Sequence, residues 1–395
     1  MEKNERYIPV LDGVRGLAIA MVLGHHCLKK MPPLPEGFLG RAITVLIGNG
    51  WVGVDLFFVL SGFLITGILY DTRESQNYFR AFYARRFLRI FPLYYGVIFL
   101  LLVFSKPLQV VWEGQQFLYL AYLQNIGITH YVTTRPFPPP IDISHFWSLA
   151  VEEQFYFVWP AVVFLLKDRR KIMRMSVILI LCSIVVRVVS IHFHRPYMYF
   201  TPARVDSLMV GGLLALAFRS GCQTKIKLVR GAWIALPSSV AVLIGIAWHN
   251  HSPNWQLNGA AWAVYTVIAI ASAALMTLAL TIPVFQAVFN RPTMRLLGKY
   301  SYGIYVLHCP AIALALYLRL PERLGGRNPG IGASFLALLI AILVSIGLAI
   351  LSFEFYESRF LRLKKYFRYR FSDSRERAEG APWTTISLGA PSSPR

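Results

Sequence analysis

Ten apolar stretches recur along this chain, at about Leu11–Cys27, Trp51–Tyr70, Ile90–Phe104, Trp147–Leu166, Ser176–Ile191, Val205–Phe218, Ala232–Trp248, Gly259–Thr281, Ser301–Leu318 and Ile331–Phe353. Inside hydrocarbon every backbone N–H and C=O must find a partner within the protein, so runs of this length read as helices. A membrane barrel would show shorter, alternating segments. Composition agrees: the chain is 56% hydrophobic and only 15% charged. Soluble domains are less apolar and more charged. The sequence therefore predicts an all-α polytopic membrane protein of about ten transmembrane helices.

Charge orients it. The net charge is +21, which in a soluble protein would favour nucleic acid. Here the basic residues cluster between apolar runs, as cytoplasmic loops do, so a lipid bilayer is the expected partner and nucleic acid is not. All the strongly basic loops fall on one side if Gln115–Ile126, too short to span, packs as an interfacial or re-entrant piece. Both termini are then cytoplasmic. The basic external loop Arg319–Arg327 runs against this pattern. Residues 1–360 read as one membrane domain without internal repeat, and 361–395 as a tail, basic at first and then polar and disordered from about Ser372. The first apolar run is not a signal peptide, because Arg15 and two histidines interrupt it and no small-residue cleavage site follows. Cys27, Cys182, Cys222 and Cys309 lack paired metal-ligand spacing, and no metal site is assigned.

Ionisable groups at membrane depth are costly and are usually kept for function. The run LDGVRGLAIAMVLGHHCLKK carries Arg15, His25 and His26. Arg15 and His26 are eleven positions apart, which returns them to one helix face about 16 Å apart. The predicted orientation sorts His26, Asp55, His145, Trp147, Glu152, Glu153, Arg204 and Asp206 toward the outer ends. Arg15, Arg85, Arg86, Arg89, Ser301, Tyr302 and Glu357 sort toward the inner ends, with His308 at mid-span. The inner arginines suit a phosphate-bearing substrate, because guanidinium forks bind phosphate oxygens bidentately; the alternative is a simple positive-inside anchor. The outer group suits acid–base chemistry, with His26 as base and Asp55 or Glu152 orienting it. The alternatives are a satisfied core histidine, a structural ion pair between Asp55 and Arg204, and an interfacial cap at Trp147, Ser148 and Glu152. Glu153 reads as a neighbour and Tyr302, Tyr305 and His308 as structural or pocket-lining. His192, His194, His249 and His251 read as solvated loop residues. A polar-solute transporter or flippase would use such buried charges equally well, and a non-catalytic assembly subunit is a third possibility.

Four stretches in order resemble the acyltransferase 3 family, multi-spanning enzymes that O-acylate bacterial carbohydrates. LDGVRGLAIAMVLGHH resembles its opening motif, placing Arg15 and His26 on family positions with His25 as an extra. GVDLFFVLSGFLIT resembles the second, around Asp55 and Ser61-Gly62. YARRFLRIFPLYY resembles the third, with Arg86, Arg89 and Pro92. HFWSLAVEEQFYFVWP resembles the fourth, with Trp147, Ser148, Glu152 and Tyr156. Arg204 and Asp206, and Ser301-Tyr302-Gly303 with His308, fit weaker late motifs. One departure is visible: the family's Glu-x-Pro near the last helix is Glu357-Ser358-Arg359 here. The resemblance spans about Ile8 to Phe360. It implies an acyl-CoA donor, often acetyl-CoA, docked on Arg85, Arg86 and Arg89. It also implies His26, Arg15, Asp55 and Glu152 as catalytic residues. Trp147, Ser148, Tyr156, Arg204 and Asp206 would face a carbohydrate or glycolipid acceptor, lipopolysaccharide among them. The setting implied is the bacterial inner membrane. No permanently bound cofactor is expected, and no sequence feature assigns an oligomeric state.

Overall fold

The computed structural model describes residues 8–35, 37–112, 114–126, 137, 141–249 and 261–371. Helices dominate, and no strand occurs among the described residues. The main elements are α1 (Pro9–Leu28), α2 (Phe38–Gly48), α3 (Val52–Thr72), α4 (Tyr78–Val103), α5 (Trp147–Leu166), α6 (Arg169–His192) and α7 (Thr201–Phe218). They continue with α8 (Cys222–His249), α9 (Ala261–Thr281), α10 (Pro283–Phe289), α11 (Pro292–Lys299), α12 (Ser301–Tyr317) and α13 (Ile331–Ser352).

Eight of the described helices are long and apolar enough to cross a bilayer. The remaining two expected spans coincide with α1, which carries Asp12, Arg15 and two histidines, and with the 17-residue α12. Gln115–Ile126 forms only a short turn of helix and a 3₁₀ turn before Tyr122 turns left-handed, so it does not cross as a helix. The helix α2 is additional to the expected elements, as are the short α10 and α11 within the basic stretch before Ser301. The polar tail expected from Ser372 and the loop histidine His251 lie outside the described residues.

Apolar side chains face outward as well as inward. Phe157, Leu165, Leu181, Trp233, Ile234 and Leu343 are all more than half exposed. An outer surface this apolar is stable only against lipid. The interior is centred on α1, α3 and α7, whose middle turns are almost wholly buried.

Glycines set how closely these helices approach. A methyl added at Gly62 of α3 would overlap the Leu208 carbonyl of α7, and one at Gly211 would overlap that of Val59. Small residues at such crossings let backbones touch, which is how apolar helices associate in lipid. Gly13 and Gly298 do the same where α1 meets α10 and α11. That docking fixes the rotation of α1 and hence the direction in which Arg15 and His26 point.

Near the end of the chain the helix widens into one π turn, Phe353–Glu357, and then continues as Ser358–Arg362. Without the family's proline the chain stays helical. The extra residue in the turn brings Ser352 to donate to Glu357 at 3.0 Å. Such π turns often accompany functional sites.

Candidate active site

Motif residues from α1, α3, α4, α5 and α12 converge on one half-open cleft with a cavity volume of about 110 Å³. Arg15, Arg86 and Arg89 supply its cations, and Glu152 and Glu153 its acids. Ser61, Ser148, Tyr156, Ser301, Tyr302 and Tyr305 complete the polar lining, and the rest is apolar. Each position follows from helix geometry. Arg86 and Arg89 are three apart on α4, and Ser148, Glu152 and Tyr156 recur every four residues on α5, so each set shares a face. Ser61 and Tyr156 hydrogen-bond directly, and both reach the Glu152 carboxylate. Arg15 is pinned by Asp12 one turn earlier, at 2.5 Å. Three guanidinium groups around an apolar slot form a site for an elongated anion with a neutral tail.

Glu152 therefore stands with the arginines and not with His26, contrary to its expected place in the outer group. It lies more than a helical turn inside α5, on the face that lines the cleft. Glu153 is also more than a neighbour, for it lines the cleft with a buried Oε1 that has no hydrogen-bond partner.

His26 lies outside this cleft, within a cluster of histidines. Its ring centroid is 4.9 Å from that of His308 and 6.5 Å from that of His145, and those two are 4.8 Å apart. The His26 Nδ1 meets the Val22 carbonyl at 3.0 Å, which holds the proton there and leaves Nε2 with its lone pair. His308 Nδ1 meets the Tyr305 carbonyl at 2.7 Å, leaving its Nε2 bare and 3.4 Å from His26 Nδ1. The carboxylate whose charge reaches His26 is Asp142. His25 is used structurally, its Nδ1 at 2.5 Å from the Gly48 carbonyl of α2.

Tyr305 and Ser148 stand between the cleft and the histidine cluster. Both line the cleft. Their hydroxyls are 2.5 Å apart, and Tyr305 Oη donates to the His145 carbonyl at 3.0 Å. The Tyr305 carbonyl in turn accepts from His145 Nε2 at 2.8 Å. The cleft thus ends on a tyrosine whose backbone orients the histidines beyond it.

Asp55 does not reach His26. Its carboxylate accepts Arg204 Nη2 at 2.9 and 3.0 Å and Ser207 Oγ at 2.8 Å. The Arg204 guanidinium lies 3.9 Å over the Tyr265 ring and 5.5 Å from that of Trp147. Asp206 pairs with Arg187 at 2.9 Å and accepts from Thr266 at 2.6 Å. These four charges are completely or almost completely buried. Buried opposite charges in contact satisfy one another, which is the structural alternative raised for Asp55. Arg204, Asp206 and Trp147 accordingly sit in this network and not on the cleft. Arg85 points away too, donating to the Lys364 and Phe367 carbonyls at 3.2 Å.

The closeness of the three histidine rings is what sequence reasoning missed. The sequence sorts His145 with His26 toward the outer ends and sets His308 on a late motif, but nothing in their spacing brings them together.

Known proteins are similar to this chain over most of its length. The chain is 29% identical over 380 residues to YrhL of Bacillus subtilis strain 168, covering 90% of this chain and 55% of that one. It is 28% identical over 333 residues to the peptidoglycan O-acetyltransferase OatA of Listeria monocytogenes, covering 79% and 50%. It is 27% identical over 337 residues to the O-acetyltransferase OatA of Staphylococcus aureus strain NCTC 8325, covering 78% and 51%. The chain thus spans about half the length of the curated relatives it matches. No solved structure matches it. A family model described as an acyltransferase domain matches residues 8–353, nearly the whole helical body, and the chain belongs to that acyltransferase family.

Proposed function

We propose that this protein is a membrane O-acyltransferase that moves an acyl group, of acetyl size, from acyl-CoA to a hydroxyl of a bacterial cell-envelope carbohydrate. The observation that carries it is the cleft, which gathers Arg15, Arg86 and Arg89 around an apolar slot that ends at Tyr305, beside the histidine cluster. The diphosphate of CoA docks on Arg86 and Arg89 from the cytoplasmic side. The pantetheine arm lies between α3, α4 and α5 and brings the thioester to Ser148 and Tyr305. His26 Nε2 takes the proton from the acceptor hydroxyl, the oxygen attacks the thioester carbonyl, the C–S bond breaks, and the imidazolium returns the proton so that CoA leaves as the thiol. Tyr305 must swing aside for the thioester to meet the hydroxyl. A positioned base of this kind contributes on the order of 10²–10⁴-fold. Peptidoglycan is the favoured acceptor class, since it is named for the Listeria relative.

The test uses the purified protein in lipid nanodiscs with labelled acetyl-CoA and soluble glycan fragments. Label should appear as an alkali-labile ester on a sugar hydroxyl, detected by mass spectrometry. Passage of a solute without consumption of acetyl-CoA would favour a transporter and overturn the proposal.

A further inference from the structure

Three potential metal ligands converge beside the proposed base. His308 Nε2 lies 3.4 Å from His26 Nδ1 and 3.3 Å from Cys309 Sγ. Ligand atoms of all three residues lie within 4.8 Å of one another. Zinc takes nitrogen at about 2.0–2.1 Å and sulfur at about 2.3 Å in a tetrahedron, so its ligands stand roughly 3.3 to 3.6 Å apart. The two separations, 3.4 and 3.3 Å, match that spacing. The surroundings also fit. His308 Nδ1 is held by a backbone carbonyl, which fixes the ring with its bare Nε2 toward the other two, the usual outer-shell support of a ligating histidine. His145, 4.8 Å away ring to ring and 4% exposed, keeps an Nδ1 without any hydrogen-bond partner. Asp142 acts on both His26 and Cys309 and opposes the charge of Lys29 and Lys30 at the same place. A thiolate with two imidazoles suits a cation of the zinc class and not a hard, oxygen-seeking one.

We propose that His26, His308 and Cys309 bind one divalent cation of the zinc class, and that this ion switches the protein off. Coordination releases the Cys309 thiol proton. It also replaces the Nδ1–H bond from His26 to the Val22 carbonyl with a metal–Nδ1 bond, and the displaced ring proton moves to Nε2, the nitrogen that would otherwise accept a proton from the acceptor. The site rests on geometry alone, and its inhibitory effect rests on the proposed transfer.

Cobalt(II) is the probe, titrated into the full-length protein in nanodiscs. One equivalent should bind with a tetrahedral spectrum and a thiolate-to-cobalt charge-transfer band. Cys309→Ser should lose that band, whereas Cys27→Ser should keep it. Micromolar zinc should stop acyl transfer and a chelator should restore it, and Cys309→Ser should transfer at the parent rate while needing at least ten times more zinc. Absence of a thiolate–cobalt band in the parent protein, or a band unchanged in Cys309→Ser, would overturn the site. Equal zinc sensitivity in the two proteins would overturn the switch. If no transfer occurs at all, the cobalt spectra still decide the site while the functional proposal fails.

Discussion

Replacing Asp55 by Asn separates a structural carboxylate from a catalytic one. The substitution keeps size and the hydrogen bond from Ser207, but it removes the charge that faces Arg204 in a buried pair. Removing one partner of such a pair costs about 3–5 kcal/mol, because the other charge is left uncompensated. Relief nearby is partial. Asp206 Oδ2 is engaged by Arg187 and Thr266, its Oδ1 has no hydrogen-bond partner and its charge acts on Arg204, while Tyr265 offers only its ring face. A loss of this size is large against a typical stability of about 5–15 kcal/mol. Reversible unfolding in mixed detergent micelles measures it directly. The apolar double variant Asp55→Leu with Arg204→Met should recover most of the loss, with a coupling energy of about 2 kcal/mol or more. Acyl transfer per folded molecule should survive in the double variant. An Asp55→Asn protein of unchanged stability but no transfer would refute this reasoning and make Asp55 a participant in the chemistry.

Other consequences follow from the same geometry. Arg86→Ala or Arg89→Ala should raise KM for acyl-CoA about tenfold or more, since each charge-assisted bond to phosphate is worth about 1.5–3 kcal/mol. Arg85→Ala should leave that KM unchanged in steady-state kinetics, because Arg85 holds the carbonyls of Lys364 and Phe367. Gly62→Ile should abolish the folded protein in size-exclusion chromatography, because its side chain would overlap the Leu208 carbonyl. Tyr305→Phe breaks the bonds to Ser148 and to the His145 carbonyl and should lower kcat while leaving KM for acyl-CoA near the parent value.

Much of the fold was legible because hydropathy reports burial in lipid residue by residue. The apolar runs fell on helices, and Gln115–Ile126 was too short to cross. The cleft was legible in part. Arg15, Arg86, Arg89, Ser148, Glu152 and Tyr156 sit in short local motifs, and helix periodicity already set Ser148 and Glu152 on one face, but it paired Arg89 with Arg85, which turns away from the cleft. Pairings across the chain were harder. Arg204 was named as a partner for Asp55, but nothing local linked Arg187 to Asp206 or brought His145 and His308 to His26. These contacts depend on how the helices rotate and cross, which glycine contacts such as Gly13 with α10 determine. Neither α2 nor α11 was expected, since each is short, and α11 lies in a stretch whose basic residues read as loop.

The most direct test supplies acetyl-CoA to one side of sealed proteoliposomes and glycan to the other. The account predicts acetyl ester on the glycan with the parent protein, and a fall of on the order of 10²–10⁴-fold with a correctly inserted His26→Ala variant. Transfer at the parent rate by that variant, or ester formed only when both substrates share one side, would contradict it.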